Sequence, residues 1–519
     1  MIRGGTVFDG VAPAGIAADV RIQDGTIQAV SSGLSLDGAR EIDAAGAWVT
    51  PGFIDAHSHG DLAVLSGLEM ELRARAGVTT EVVGQDGLGF AGAPDRAADV
   101  ISDLLTPITG ECPPTWWPTV DGYLRYVDAG AYARVATCAP HGTIRAGVMG
   151  TAPRHATATE RLAMASLVAE AMADGAVGLS TGLSYPPALW SDTDELVTLA
   201  SAVPAGGCRY VTHLRNYGEG FGPALEEALQ VGRRSGQPVH LSHFHVSGPG
   251  RAGAAGEYLA RLEVAVAEGL DVTMDSYPYT SACTFLTTVL PPDLQGLPGP
   301  VVAAKLADAN CFRTVARELD MRGPGPTVSV GWDSVLLAGL ASTELAEWDS
   351  RAVSTIAVAE GKTSGEVVVE AVRRLAGRAC ILVPQGHMDN VRTIAGGPRQ
   401  VVGSDGIPGS GVPHPRASGT FLRFLRWARD GVIPVSVAEM VARMTGRTAH
   451  LFGLPVGVLA PGRPADVLVL DPEALADGPD LGRHVPGAVR WSFIAGQGVV
   501  DDGRWAAPRL PGLALRRAT

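Results

Sequence analysis

Eight short runs of β-branched and other apolar residues recur along this chain, separated by longer stretches with apolar residues at helical spacing. The runs end near Ala56, Gly84, Cys138, Ser180, Thr212, Ser242, Asp275 and Gly403, and Thr159 to Gly175 shows the helical pattern between two of them. A strand that re-enters a sheet in the same direction needs a long crossover, usually a helix. Strands alternating with helices therefore read as βα units of a parallel sheet. Eight such units suggest an α/β fold of the closed (β/α)8 type.

The chain ends are patterned differently. The first fifty residues alternate with period two, and Asp19 to Val30 holds an Asp-Gly turn between two strand-like runs. The same alternation returns in Ala465 to Leu470 and Ser492 to Gly496. Chain ends often meet at a surface, so the two sets are expected to share one antiparallel sheet. Between Ser281 and about Gly396 the connection is too long for a simple crossover. Its first part, roughly 281–345 with Pro291-Pro292 and Gly296 to Pro300, reads as an inserted lid subdomain over the active face.

Composition removes several classes of function. Hydrophobic residues at 46% and charged residues at 18% fit a well-buried globular enzyme. A net charge of -13 argues against nucleic acid as a partner. Met1 to Gly10 has no long apolar core behind a basic start, and no later stretch reaches the length of a membrane span, so a cytoplasmic protein without a membrane partner is expected. The cysteines Cys112, Cys138, Cys208, Cys283, Cys311 and Cys380 show no CxxC spacing, which points to small core residues rather than a disulfide framework or a cysteine zinc knot.

Polar residues fall at one place in this pattern. His57, His59, Asp86, His213, His243 and Asp405 all lie at or just beyond the C-terminal ends of the apolar runs, the catalytic face of a (β/α)8 barrel. In an extended segment, residues two apart face the same way, so His57 and His59 can grip one ion. Imidazoles and carboxylates from separate strands suit one or two borderline divalent ions with an open water position, zinc first. His141, His240, His387, His414, His450 and His484 read instead as core histidines bonded to backbone. Tyr277 and Tyr279 flank Pro278, where one hydroxyl is expected to face a developing oxyanion or both rings simply pack.

Several motifs then converge on one family. Pro-Gly-Phe-Ile-Asp-Ala-His-Ser-His from Pro51, Gly-Leu-Ser-Thr-Gly-Leu-Ser-Tyr-Pro-Pro from Gly178, Thr-His-Leu-Arg-Asn from Thr212, Leu-Ser-His from Leu241, Asp-Ser-Tyr-Pro-Tyr from Asp275 and Gly-Ser-Asp-Gly-Ile-Pro from Gly403, followed by Pro-His-Pro-Arg416, run through nearly the whole chain. Together they resemble the N-acyl-D-amino-acid deacylases, or D-aminoacylases, of the amidohydrolase superfamily. The resemblance implies a TIM-like metal-dependent barrel over residues 51–450 and a β-sandwich built from 1–50 and 451–519. By position, His57 and His59 would hold one metal and His213 and His243 another. Asp405 would be the general acid/base, and Arg416 would clamp the substrate carboxylate with a bidentate fork.

Two residues depart from the family pattern. Where the family carries cysteine in a Gly-Asn-Cys-Gly turn, this chain has Gly84-Gln-Asp86-Gly, and a carboxylate is a harder ligand than a thiolate. The only lysines are Lys305 and Lys362, both between strands seven and eight, so Asp86 is left as the candidate bridge between two ions. His245 stands where the family tends to have lysine, and a shorter, neutral imidazole holds a substrate carboxylate or carbonyl less firmly.

The expected reaction is hydrolysis of a linear amide, releasing a free D-amino acid from a small N-acyl-D-amino acid. Metal-activated water attacks the carbonyl, and Asp405 passes the proton to the leaving nitrogen. Two other readings use the same residues: a cyclic amide hydrolase of the hydantoinase or dihydropyrimidinase kind, and a silent barrel that only binds a ligand.

Overall fold

Residues 53–55 of the Pro-Gly-Phe-Ile-Asp motif open a parallel sheet, a fully buried strand in which Phe53 and Ile54 supply the apolar surface and Asp55 is paired with Arg73. Strand β1 (Phe53–Asp55) pairs with β2 (Val78–Val83), and β2 with β3 (Arg134–Thr137), all parallel. A second parallel series starts from Ala139–Pro140 directly after β3 and continues through β4 (Gly178–Gly182), β5 (Arg209–His213), β6 (Val239–Leu241), β7 (Val272–Ser276) and β8 (Gln400–Val402).

Hydrogen bonds close the ring at both seams. At one, Cys138 N donates to Val83 O at 3.0 Å and Val177 N to Thr137 O at 2.9 Å. At the other, Ala56 N donates to Val402 O at 3.1 Å and Asp405 N to His57 O at 2.8 Å. The result is an eight-stranded barrel, with helices such as Ala158–Ala173 and Phe221–Ser235 on its outside. The computed structural model describes residues 1–109, 116–206, 208–325, 328, 330–408, 411–412, 414–476, 478–480, 486–506 and 508–517.

The chain ends form one nine-stranded sheet. Trp48–Pro51 lies antiparallel to Val467–Leu470 with Val49 opposite Val469, which joins the N-terminal strands to the C-terminal ones. One apolar core of Ile2, Val20, Ile27, Val49, Val467 and Val469 draws on both ends. Arg134, at the start of β3, reaches down to Asp466 of this sheet through Nε to Oδ2 at 2.6 Å and Nη2 to Oδ1 at 3.1 Å.

Between β7 and β8 the chain builds a unit with its own core. Ser281–Phe285 and Leu336–Ala338 both pair antiparallel with Cys380–Pro384, so this unit extends to Pro384. Trp348, Leu337, Val367, Ile381 and their neighbours pack beneath helices including Ala309–Arg322 and Ser364–Leu375. Cys138, Cys208, Cys283, Cys311 and Cys380 are free thiols, whereas Cys112 and His484 lie outside the described residues. Among the described residues no helix is long and apolar enough to cross a membrane.

Candidate metal centre and active site

Three residues at the strand ends hold left-handed backbone that side chains other than glycine seldom adopt: Asp86 at φ 54, His243 at φ 32 and Asp405 at φ 51. Such conformations persist where surrounding contacts over-determine them, and they gather at functional sites. Around Asp86 those contacts are visible. Ser180 Oγ donates to Gly84 O and accepts from Gly87 N at 3.1 Å, clasping both ends of the turn. Gly182 lets the backbone approach, since a Cβ there would stand 2.0 Å from Asp86 O.

His57 and His59 flank Ser58, which follows β1 past a bend and bridges to Gly406 after β8, and both imidazoles lie beside Asp405. Beneath them Asp55 accepts from His57 N at 3.1 Å and Ser404 N at 2.8 Å, and pairs with the buried Arg73. Arg73 also meets Glu81 of β2 with two bonds of 2.8 Å. Burial alone would lower the Arg73 pKa, but Glu81 and Asp55 raise it further and keep it charged. This brace ties β1, β2 and the loop after β8 together below the site.

Above the brace, the ligand atoms of His57, His59, Asp86 and Asp405 all lie within 4.8 Å of one another, as do those of Asp86, His213 and His243. Asp86 belongs to both groups. Its Oδ1 is 3.4 Å from His57 Nε2, and its Oδ2 is 3.6 Å from His59 Nε2, 3.4 Å from His213 Nδ1 and 3.5 Å from His243 Nε2. Asp405 Oδ1 sits 3.2 Å from His59 Nε2 and 3.7 Å from His57 Nε2. Tetrahedral ligands about 2.0–2.2 Å from a zinc ion stand about 3.3–3.6 Å apart, close to these spacings.

The donor set fits a cation for two further reasons. His57 Nε2 and Asp86 Oδ1 are fully buried with no hydrogen-bond partner among the described residues, an expense a fold seldom tolerates without a ligand. The charges also ask for one. Burial opposes ionisation of Asp86, yet His57, His213 and His243 outweigh it and hold the carboxyl well below its ordinary range. In return, against the cost of burial, Asp405 and Asp86 push His59 up to about 10, and Asp86 lifts His243 to about 9. Two buried carboxylates thus draw positive charge onto His59 and His243, charge that a divalent ion would supply while those protons leave.

A second carboxylate orients this set. Asp275 of β7 accepts from His243 N at 2.9 Å, lies 3.5 Å from His57 Nδ1 and bonds His240 Nε2 at 3.0 Å. His240 is therefore held by side chains, Asp275 and Thr273, rather than by backbone. His387 and His414 bond the carbonyls of Gly248 and Ser281, whereas His141 pairs with Glu195 at 2.8 Å and His450 is exposed. His213 uses both nitrogens, Nε2 with Ser184 Oγ at 2.6 Å and Nδ1 with His243 Nε2 at 2.8 Å.

A cleft partly open to solvent runs from these imidazoles to the unit between β7 and β8. Asp405, His245 and Tyr277 line it, together with Tyr185, Tyr217 and Asn216. The Tyr277 ring faces the His245 ring at 4.5 Å and lies under the Arg416 guanidinium at 5.3 Å. Burial pushes His245 down to about 3, with His243 adding to the effect, so its imidazole is neutral. Tyr279 takes another role, packing against the His414 ring at 5.7 Å with Arg423 over its own ring at 4.7 Å.

Arg416 opens the helix Arg416–Arg429, and its Nη1 lies 2.7 Å from Asp405 Oδ2. The sequence expectation gave this arginine to a substrate carboxylate. In the structure its nearest anion is Asp405. Ser184, Tyr185, Tyr217 and Asp275 were not singled out in the sequence as site residues. Ser184, Tyr185 and Asp275 lie inside quoted motifs, and Tyr217 follows one, but nothing in a linear pattern shows that their side chains meet His213, His243 and His57.

Comparison with known proteins identifies the family. The model of the amidohydrolase family matches residues 40–485. A D-aminoacylase of Alcaligenes xylosoxydans xylosoxydans is 34% identical over 92% of this chain and 89% of its own length. An N-acyl-D-aspartate deacylase from the same organism is 31% identical over 99% of this chain and 94% of its own. Among solved structures, an N-acyl-D-glutamate deacylase from Bordetella bronchiseptica, complexed with zinc and a phosphonate mimic of the tetrahedral intermediate, superposes with a TM-score of 0.82 at 30% identity, covering 99% of this chain and 98% of that one.

Proposed function

The chain belongs to the amidohydrolase family, and from that premise we propose that it is a metal-dependent hydrolase of the linear amide in N-acyl-D-amino acids, releasing a carboxylate and a free D-amino acid. The observation that carries the reading is the position of Asp405. It stands on the wall shared by the metal cluster and the cleft, with one oxygen 3.2 Å from His59 and the other 2.7 Å from Arg416.

His57 and His59 would hold one divalent ion, His213 and His243 a second, and Asp86, which belongs to both groups, would serve both, with zinc the preferred ion. When bound, such an ion polarises the amide carbonyl and activates water near neutral pH. The protein groups do the rest. Asp275 keeps His57 and His243 in orientation. Asp405 Oδ1 takes the proton released by the attacking water and delivers it to the leaving nitrogen, while Arg416 steadies Oδ2.

Arg416 Nε has no hydrogen-bond partner among the described residues and turns to the substrate carboxylate, beside Tyr277 and the neutral His245. Tyr277, in the cleft wall, is the tyrosine placed to donate to the developing oxyanion. Metal analysis coupled to a chiral panel tests the reading: D-substrates are expected to turn over and L-enantiomers to be spared. Absence of turnover on every N-acyl-D-amino acid by metal-replete protein overturns it, and hydantoin and dihydropyrimidine controls separate it from cyclic amide hydrolysis.

A further inference from the structure

Among the described residues, no lysine or arginine lines the cleft beyond Asp405. Its outer wall, at the unit between β7 and β8, includes Ala282, Cys283, Thr284, Thr288, Val383 and Gln385, and its inner wall carries hydroxyls, amides and imidazoles beside the Asp405 carboxylate. Pro326, Thr327 and Ser329, the neighbours in sequence of the cleft residue Val328, are uncharged. The guanidinium that does reach the site, Arg416, is engaged with Asp405 and serves one carboxylate at most. Arg215, on the loop after β5, is committed elsewhere, to Glu227 at 2.8 and 2.9 Å and to the carbonyls of Leu189 and Ser191.

A carboxylate moved from water into such a cleft loses its hydration and finds no cation in return. A neutral amide or hydroxyl of the same shape is satisfied by the Ser, Thr, Asn and Gln side chains present. From this inventory, and resting on the deacylase reading, we propose that the enzyme acts on N-acyl-D-amino acids bearing a single negative charge, with both the amino-acid side chain and the acyl group neutral. It is thereby set apart from relatives whose substrates are N-acyl-D-glutamate or N-acyl-D-aspartate. The selection comes from missing cations, which reject the second carboxylate, rather than from an added repulsive contact.

Isosteric pairs isolate the charge. With metal-replete enzyme, kcat/KM for N-acetyl-D-glutamine should exceed that for N-acetyl-D-glutamate by about 100-fold or more, as the burial of one unpaired carboxylate implies. N-acetyl-D-asparagine against N-acetyl-D-aspartate, and N-acetyl-D-leucine against N-succinyl-D-leucine, should behave alike. Thr288→Arg, which puts a guanidinium into the outer wall, should raise glutamate relative to glutamine by about tenfold. If amides are hydrolysed but glutamate comes within about threefold of glutamine, the charge selection is wrong while the deacylase reading stands. If no linear D-amide is hydrolysed at all, the deacylase reading falls and takes this proposal with it.

Discussion

Asp405 faces two partners with its two oxygens, and that division sets what a substitution should do. Against the cost of burial, Arg416, His59 and the neighbouring imidazoles keep the carboxyl well below its ordinary range, so it stands ionised before the reaction. Asp405→Asn leaves shape and size unchanged but removes the proton carrier. Its kcat is expected to fall about 10³-fold with metal content near that of the parent, read by elemental analysis beside steady-state rates. Full rate in that variant removes Asp405 from the mechanism. Asp86 invites a different experiment, because its effect is on the ion. With oxygen and nitrogen donors only, the cobalt-substituted protein should lack a thiolate-to-metal charge-transfer band. Asp86→Cys should introduce one and shift preference toward softer ions such as cadmium. These two aspartates and the four histidines were readable as candidates because each follows an apolar run directly. Asp275 and Ser184 were not, because their importance lies in contacts across strands, with His57 and His213.

At the scale of elements, the turn from Gly84 to Gly87 is the least forgiving piece. Ser180 of β4 clasps it, and Gly182 of the same strand leaves room for Asp86 O. Gly182→Ala therefore pushes a methyl into backbone and should destabilise the fold by about 1–3 kcal/mol, measured by urea titration with metal content followed in parallel. Ser180→Ala keeps the volume and should weaken metal retention more than it lowers the unfolding midpoint. An equal loss in both would make Ser180 merely structural. Strand ends were legible to within two residues, β1 ending at Asp55 against an expected Ala56 and β4 at Gly182 against Ser180. The reason is physical: strands buried on both faces are rich in apolar and β-branched residues, and the turn and polar residues that follow mark where they leave the sheet. The unit between β7 and β8 was harder, because its central strand, Cys380–Pro384, lies far along the chain from its partner Ser281–Phe285.

Across the whole molecule, the barrel and the terminal sheet are joined by the buried pair of Arg134 and Asp466. Removing one partner leaves an uncompensated charge, so Arg134→Ala should cost about 3–5 kcal/mol of stability, seen in denaturant unfolding, whereas exchanging both residues for apolar ones should cost far less. Metal binding should also be felt globally. The candidate ligands that follow β1, β2, β5, β6 and β8 form two groups sharing Asp86, so chelation is expected to lower the melting temperature and readdition of zinc to restore it.

The sequence alone determined the alternation of strand and helix, the face on which His57, His59, Asp86, His213, His243 and Asp405 emerge, and the pattern shared by the chain ends, because periodicity and strand exits are local properties of a chain. Only the tertiary structure decided that Asp86 faces both groups of imidazoles, that Arg416 turns to Asp405, that Tyr277 rather than Tyr279 lines the cleft, and that no lysine or arginine among the described residues lines it. Those are distances between side chains remote in sequence, and they exist only once the ring of strands has closed.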